Sequence, residues 1–221
     1  MPCDYVALLK CGMGPHSDIY KCARGSTTVA IKVIDREFWD EREDRALRAL
    51  RGVGGMLQRI DLVVTPLEVF VITPHYDRGD VLDGINRGGY GTLEQCRTLL
   101  YEIVLLVRRL HQHGFCHNDL KFENFLRRDD GRLVLIDFGF SRPYCRRPRR
   151  LSHVNGTEPY TAPEVYRRRY SGASDVFSLG VMIYMLFGLR GVEVPPIAAR
   201  MCSQRARDRP LLVEVLRELS E

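Results

Sequence analysis

The sequence has no run of about 18 apolar residues, so no segment reads as a bilayer-spanning helix. Its longest apolar stretch, Val176 to Leu189, is short and broken by Ser178, Gly180 and Gly188, and it reads as a buried helix. The first residues lack a charged-then-apolar leader pattern, so no signal segment is expected. CxxC pairs and zinc-ligand spacings are missing among the seven cysteines, an odd and scattered set. That argues against a disulfide framework and for reduced thiols in an intracellular compartment, cytoplasm or nucleus. Internal repeats and low-complexity tracts are also missing. The net charge of +5 is modest and does not call for nucleic acid as a partner. What remains is ordinary for a soluble globular protein: 221 residues, 45% hydrophobic and 28% charged, enough to bury a sizeable core in one large domain or two small ones.

Two halves differ in pattern. The first 75 residues are strand-rich, with Tyr5–Lys10, Ile19–Cys22, Thr27–Ile34, Ile60–Val64 and Leu67–Thr73 alternating or β-branched between Gly and Pro breaks. One charged helix, about Phe38 to Arg51, interrupts them with Ala46, Leu47 and Leu50 on one side. After Tyr76 the pattern turns helical. Thr92 to Gln95 fits a capping box, followed at helical spacing by Cys96, Leu99, Leu100, Ile103, Leu106, Val107 and Leu110. Further helices are predicted from Ala173 to Gly188 and from Pro210 to Leu219, with proline at the first position of the last.

The most informative stretch is His117-Asn118-Asp119-Leu120-Lys121-Phe122-Glu123-Asn124, with Asp137-Phe138-Gly139 after it. A carboxylate, an ammonium, a carboxamide and a second carboxylate fall close together. These are the groups that bind a polyphosphate with its metal and steer a hydroxyl onto the terminal phosphorus. Asp119 can accept or orient the attacking proton, and Lys121 can neutralise the moving phosphoryl group. Asn124 and Asp137 offer the hard oxygen ligands that Mg²⁺ prefers.

This set resembles the catalytic loop and metal-binding turn of the eukaryotic protein-kinase superfamily, and the resemblance covers nearly the whole chain. It implies an α+β, bilobal fold: a small antiparallel sheet lobe with one helix (about 1–74), a hinge (about 74–77) and a larger, mainly helical, trimmed lobe (about 78–221), together one catalytic domain. It implies ATP and Mg²⁺ as cofactors, or Mn²⁺ in its place, and protein substrates. DNA, RNA and membrane are not expected as partners, and a monomer is.

By the same resemblance, Cys11 to Ile19 is an imperfect glycine-rich loop. Gly12 and Gly14 let backbone approach phosphates, and Ser17 stands where a third glycine is usual. Lys32, ending Val29-Ala30-Ile31-Lys32, grips the α- and β-phosphates and pairs with a helix glutamate. The pattern selects Glu43, but Glu37 and Glu41 lie nearby and the choice among the three stays open. Ala30, with Leu9 or Ile19, sandwiches adenine, whose edge meets the hinge backbone at His75 and Tyr76. Thr73 guards the back of that pocket and Asp80 meets the ribose. Individually, Val71 to Tyr76 read as well as a strand ending at a proline.

Gly156-Thr157-Glu158-Pro159-Tyr160-Thr161-Ala162-Pro163-Glu164 resembles the end of an activation segment, in which Thr157 bonds Asp119 and Lys121. Glu164 pairs with Arg209, and Asp175 anchors the catalytic-loop backbone. The glycine-threonine pair and Lys121 point to serine/threonine acceptors. Three departures stand out. Asn118 replaces the arginine that receives an activating phosphate, which implies activity without that modification. Arg142, Arg146, Arg147, Arg149 and Arg150 form a basic cluster that reads either as a solvated loop or as a recruiter of acidic or already phosphorylated proteins, a localisation signal being a third option. The stretch between Asp175 and Arg209 is short. With the His-Asn-Asp triplet, that trimming is similar to compact kinases of large DNA viruses, which places the protein inside a host cell. The competing readings are a pseudokinase scaffold, against which all five key polar residues speak, and a small-molecule phosphotransferase, against which Thr157 to Glu164 speak.

Overall fold

The computed structural model describes residues 1–2, 4–14 and 16–220. Cys3, and Pro15 of the expected glycine-rich loop, lie outside the described residues. The N-terminal part is a five-stranded antiparallel sheet of order β1-β2-β3-β5-β4, built from β1 (Val6–Gly14), β2 (Ser17–Arg24), β3 (Thr27–Asp35), β4 (Asp61–Val64) and β5 (Glu68–Pro74). Side chains on β3 alternate between faces. Val29 and Ile31 join Tyr5, Cys22, Phe70 and Ile72 in a core on one side. Lys32 and Ile34 therefore point to the other side, where the helix α1 (Glu41–Ala49) lies.

That helix is shorter than the sequence predicts. Arg36–Phe38 forms a separate 3₁₀ turn, and Asp40 starts α1 by accepting the Arg42 N–H at 2.9 Å. Ala46, Leu47 and Leu50 are buried as expected. The glycine-rich stretch is also less of a loop than expected. Met13 pairs with Asp18 and Gly14 with Ser17, so both glycines sit in the closing rungs of a hairpin. A Cβ on Gly12 would stand 3.2 Å from Ile19 Cδ1, a tight contact on the rung opposite Ile19.

The C-terminal part follows β5 with α2 (Val81–Asn86) and the long α3 (Leu93–Gln112). Thr92 and Gln95 cap α3 reciprocally, side chain to backbone at 3.2 Å each way. Three short ribbons come next, drawn from β6 (Phe115–Cys116), β7 (Phe125–Arg127), β8 (Leu133–Leu135), β9 (Arg142–Pro143), β10 (Arg149–Arg150) and, after α4 (Pro163–Tyr166), β11 (Arg169–Tyr170). They pair as β6 with β9, β7 with β8 and β10 with β11. The chain ends in α5 (Gly172–Arg190), α6 (Pro196–Met201) and α7 (Leu212–Ser220).

By length and composition alone α5 could cross a bilayer, but α3 and α6 pack against it and most of it is buried. Between α5 and α7 the chain forms only α6 and one 3₁₀ turn, consistent with the short interval in the sequence. Helix α7 begins two residues later than predicted. Glu214 Oε2 accepts the Leu211 N–H at 2.7 Å, which starts the helix there and leaves Pro210 ahead of it. One continuous core under α3, α5 and α7 reaches forward to Ile34 of β3, Leu47 of α1 and Leu50 just after it, so the sheet and the helical part share packing.

Candidate active site

The site is assembled from the inner face of β3, one side of α1 and the loops joining β6, β7 and β8. Lys32 Nζ lies 2.9 and 3.1 Å from the two Glu43 oxygens and 3.2 Å from Asp137 Oδ1. Glu43 reaches it because it shares a face of α1 with Ala46, Leu47 and Leu50, which turn inward. Glu41 is exposed, and Glu37 belongs to the preceding 3₁₀ turn. Burial works to lower the Lys32 pKa, but the carboxylates of Glu43 and Asp137 outweigh it and hold the ammonium above its ordinary value. In return the Lys32 charge, against the effect of burial, holds Asp137 below the usual carboxylate range. Glu43 is pushed the other way: burial, opposed by the Lys32 charge, raises its pKa above the ordinary 4.5.

Asp119 stands in a second cluster. Thr157 Oγ1 donates to Asp119 Oδ1 at 2.8 Å and accepts from Lys121 Nζ at 3.0 Å, while Lys121 Nζ lies 3.6 Å from Asp119 Oδ2. Asn124 Nδ2 donates to the Asp119 carbonyl at 2.7 Å. Gly156 makes this approach possible: at φ +105° a side chain is disfavoured, and its Cβ would meet Thr161 Oγ1 at 2.8 Å. The backbone of the loop hangs from Asp175, which is fully buried. Asp175 Oδ1 accepts the Asn118 N–H and Oδ2 the His117 N–H, both at 2.8 Å, and His111 Nε2 sits 2.7 Å from Oδ2. His111, Cys116 and Asp175 each bring a potential ligand atom within 4.8 Å of the others, but both Asp175 oxygens are already committed to holding this loop.

The two clusters are tied together by the Ile136 N–H, which donates to the Asn124 carbonyl at 3.0 Å and sets Asp137 beside the loop that carries Asp119. Asp137 has φ +60° and Phe138 behind it is fully buried, its ring 5.6 Å from that of His117. A matching family model, Protein kinase domain, covers residues 5–199. The chain belongs to the protein kinase family. Among its relatives, CDPK-related kinase 5 of Arabidopsis thaliana and CDPK-related protein kinase of Daucus carota are each 36% identical over 168 residues. Calcium/calmodulin-dependent serine/threonine-protein kinase 1 of Oryza sativa subsp. japonica is 32% identical. In each case the match takes in 74% of this chain and 27% of the relative, so the chain spans about a quarter of the curated relatives' length.

Membership implies ATP and a divalent metal, and the donor set of the kinase domain fits them. Asn124 turns its amide nitrogen to Asp119, which leaves Oδ1 as a free hard oxygen, and Asp137 is held ionised. Around the expected adenine pocket, Thr73 is buried with Oγ1 3.5 Å from the Ala30 carbonyl, its partner across the β3–β5 ladder. Ala30 and Ile19 are half-buried, and Leu9, paired with Lys21, is exposed. His75 Nδ1 lies 3.4 Å from Asp77, and burial, partly offset by that carboxylate, lowers its pKa. Burial pushes the half-buried Tyr76 up. Asp80 has a role that the sequence reading missed: its Oδ1 accepts the Asp83 N–H at 2.8 Å and caps α2.

Sequence reasoning also missed His111 and Ser174. Ser174 Oγ donates to Glu164 Oε1 at 2.8 Å. His111 ends an amphipathic helix, where a histidine carries no distinguishing signal. The anchor yields a pH prediction. Burial opposes ionisation of Asp175, but His111, His117 and the Asn118 N–H prevail and hold its folded pKa below the ordinary 3.8. Its stabilising contribution is therefore complete above 3.8 and is lost as the pH falls below that value. Urea unfolding of the wild type and Asp175→Asn should show the largest stability gap near neutral pH and a narrowing gap on acidification. A gap independent of pH would refute this account.

Proposed function

We propose that the chain is a serine/threonine protein kinase that moves the γ-phosphoryl group of Mg·ATP onto protein hydroxyls. The observation that carries this reading is the Lys121–Thr157–Asp119–Asn124 cluster tied through Ile136 to the Lys32–Glu43–Asp137 cluster. In this reading Lys32 binds the α- and β-phosphates, and Glu43 keeps its ammonium aimed. Asn124 Oδ1 and Asp137 hold Mg²⁺, which supplies charge neutralisation on the phosphates. Asp119 accepts the hydrogen bond of the incoming hydroxyl and orients its oxygen. Lys121 offsets charge on the transferring group, and Thr157 fixes both. Serine/threonine acceptors are supported by the glycine-threonine pair and by the similarity to the rice serine/threonine-protein kinase.

We further propose that no phosphate on the activation segment is needed. Among the described residues, buried Asn118, at φ +64°, has no partner for its Oδ1, and buried Asn155 has none for either side-chain polar atom. Both line a cavity of about 10 Å³ next to Asp119 and Thr157, room for about one water molecule to join neutral groups. A phosphate there would meet a carboxamide where a guanidinium would be needed. The experiment is transfer from labelled ATP by purified protein, beside a variant in which Ser141, Tyr144, Ser152, Tyr160 and Thr161 become Ala, Phe, Ala, Phe and Val. Equal specific activity of unphosphorylated wild type and variant is expected. Activity that appears only after phosphorylation of this segment would overturn the proposal, and no transfer at all despite nucleotide binding would overturn the kinase reading.

A further inference from the structure

Between Arg142 and Arg169 the chain carries eight arginines and two glutamates, and one of those, Glu164, is sealed by Arg209. That excess is larger than the net charge of the whole protein, +5, so the remainder of the chain is slightly acidic. Arg142 is occupied, since its Nη1 donates to the Phe140 and Ser141 carbonyls. The other seven, Arg146, Arg147, Arg149, Arg150 and Arg167–Arg169, are all exposed. None has an ion-pair partner or a side-chain hydrogen bond among the described residues.

The fold gathers them on purpose-built backbone. Strands β10 and β11 pair Arg149 with Tyr170 and Arg150 with Arg169, and the Leu151 N–H donates to the Arg168 carbonyl at 2.8 Å. Arg168 is held at φ +55°, a left-handed conformation that costs a non-glycine residue about 1–3 kcal/mol. Leu151 and Tyr170 then bury into a cluster with Cys116, Cys145, Ala162 and Val165. Cys116 directly precedes His117, so the arginine ribbon and the catalytic loop share one packed frame. A merely solvated charged loop has no need of such anchoring, and seven like charges in one place repel each other.

We infer that the β10–β11 ribbon is a docking site for an acidic segment of the protein substrate, one bearing clustered carboxylates or phosphates. The inference rests on the kinase reading and names its substrate class. Guanidinium groups offer planar, bidentate donors that match both anions. Arg150 precedes Thr157 by seven residues, so the ribbon lies within about 25 Å of Asp119, the span of seven extended residues. The acidic cluster and the acceptor hydroxyl therefore belong to one short peptide. A nucleic acid or a bilayer would need a broader basic surface, and the rest of this chain is slightly acidic.

The test uses the whole protein and three labelled peptides with one acceptor serine, flanked by glutamates, by a phosphoserine or by glutamines. Fluorescence anisotropy without nucleotide reads binding, and initial rates read KM and kcat. The wild type should bind the two anionic peptides at least tenfold more tightly than the glutamine peptide, with the difference shrinking at high salt. Arg149→Gln/Arg150→Gln/Arg167→Gln/Arg169→Gln should abolish that preference through KM while the glutamine peptide is phosphorylated as before. A phosphoserine peptide that wins beyond its charge identifies phosphate as the ligand, and parity identifies carboxylate; both support docking. Equal affinity for all three peptides, a preference that survives the four substitutions, or single-stranded RNA or anionic vesicles displacing the acidic peptide would each overturn it. Binding with the expected preference but no transfer would refute the kinase activity and leave the acidic-peptide site standing.

Discussion

Asp119→Asn is expected to lower phosphate transfer by about 10²–10⁴-fold, the range a positioned general base supplies, while nucleotide binding stays unchanged. The substitution keeps the volume and one oxygen. Thr157 Oγ1 can still donate at the Oδ1 position, and Asn124 Nδ2 binds the residue's backbone carbonyl, which is unaffected. What disappears is the negative charge beside Lys121 and the capacity to take a proton. The nucleotide-side cluster of Lys32, Glu43 and Asp137 is left intact, so anisotropy with a labelled ATP analogue should give the wild-type Kd. Thr157→Ala should cost less, roughly thirtyfold, because it removes two hydrogen bonds worth about 1 kcal/mol each and no charge. Combining both substitutions should lose little beyond Asp119→Asn alone, since the two groups act as one unit. Turnover of Asp119→Asn within threefold of the wild type would remove Asp119 from the chemistry.

The parts of this site that sequence made legible are those whose signal is local. His117 to Asn124 and Asp137 to Gly139 are short, dense runs of polar groups, and the alternation of Val29 to Ile34 placed Lys32 on a strand face. The choice among Glu37, Glu41 and Glu43 was open, although the answer was available. Glu43 precedes Ala46, Leu47 and Leu50 by three, four and seven residues, so it lies on the apolar face of α1, and Glu41 does not. The capping role of Asp80 was not legible, because an aspartate before a six-residue helix is a weak capping signal. The β10–β11 ribbon had no legible signal. Its strands are two residues long and about twenty residues apart, and it forms because Leu151 and Tyr170 find a common pocket. The basic cluster was visible in composition, but Arg167 to Arg169 join it only through that pairing. Asn155 likewise gains meaning only beside Asn118 in a shared cavity.

The largest stability effect is expected from Arg209→Ala, about 3–5 kcal/mol, the cost of breaking a buried ion pair and stranding its partner. Arg209 has a fully buried side chain. Its Nη1 and Nη2 each lie 2.7 Å from one Glu164 oxygen, Nη1 also donates to the Ala173 carbonyl at 2.8 Å, and Nε donates to the Ser203 carbonyl at 2.9 Å. One guanidinium thus joins α4, the start of α5 and the segment after α6, with Phe177 stacked 5.0 Å from its carbon centre. At roughly 2–4 °C per kcal/mol for a chain of this size, Tm should fall by about 10 °C. Arg209→Lys retains the charge but loses the fork, and should fall between wild type and alanine. The effect should also depend on pH in a fixed direction. Burial alone would raise the Glu164 pKa, but Arg209 and Ser174 hold it below its ordinary 4.5. The pair's stabilisation is therefore complete above 4.5 and lost as the pH falls below it, so the gap between wild type and Arg209→Ala should close on acidification. Calorimetry at neutral pH and near pH 3 reads both effects. A neutral-pH loss under 1 kcal/mol would mean that α4 and α5 are held by packing alone, whereas the predicted loss would identify this ion pair as the clamp that keeps the activation segment and its arginine ribbon seated beside Asp119.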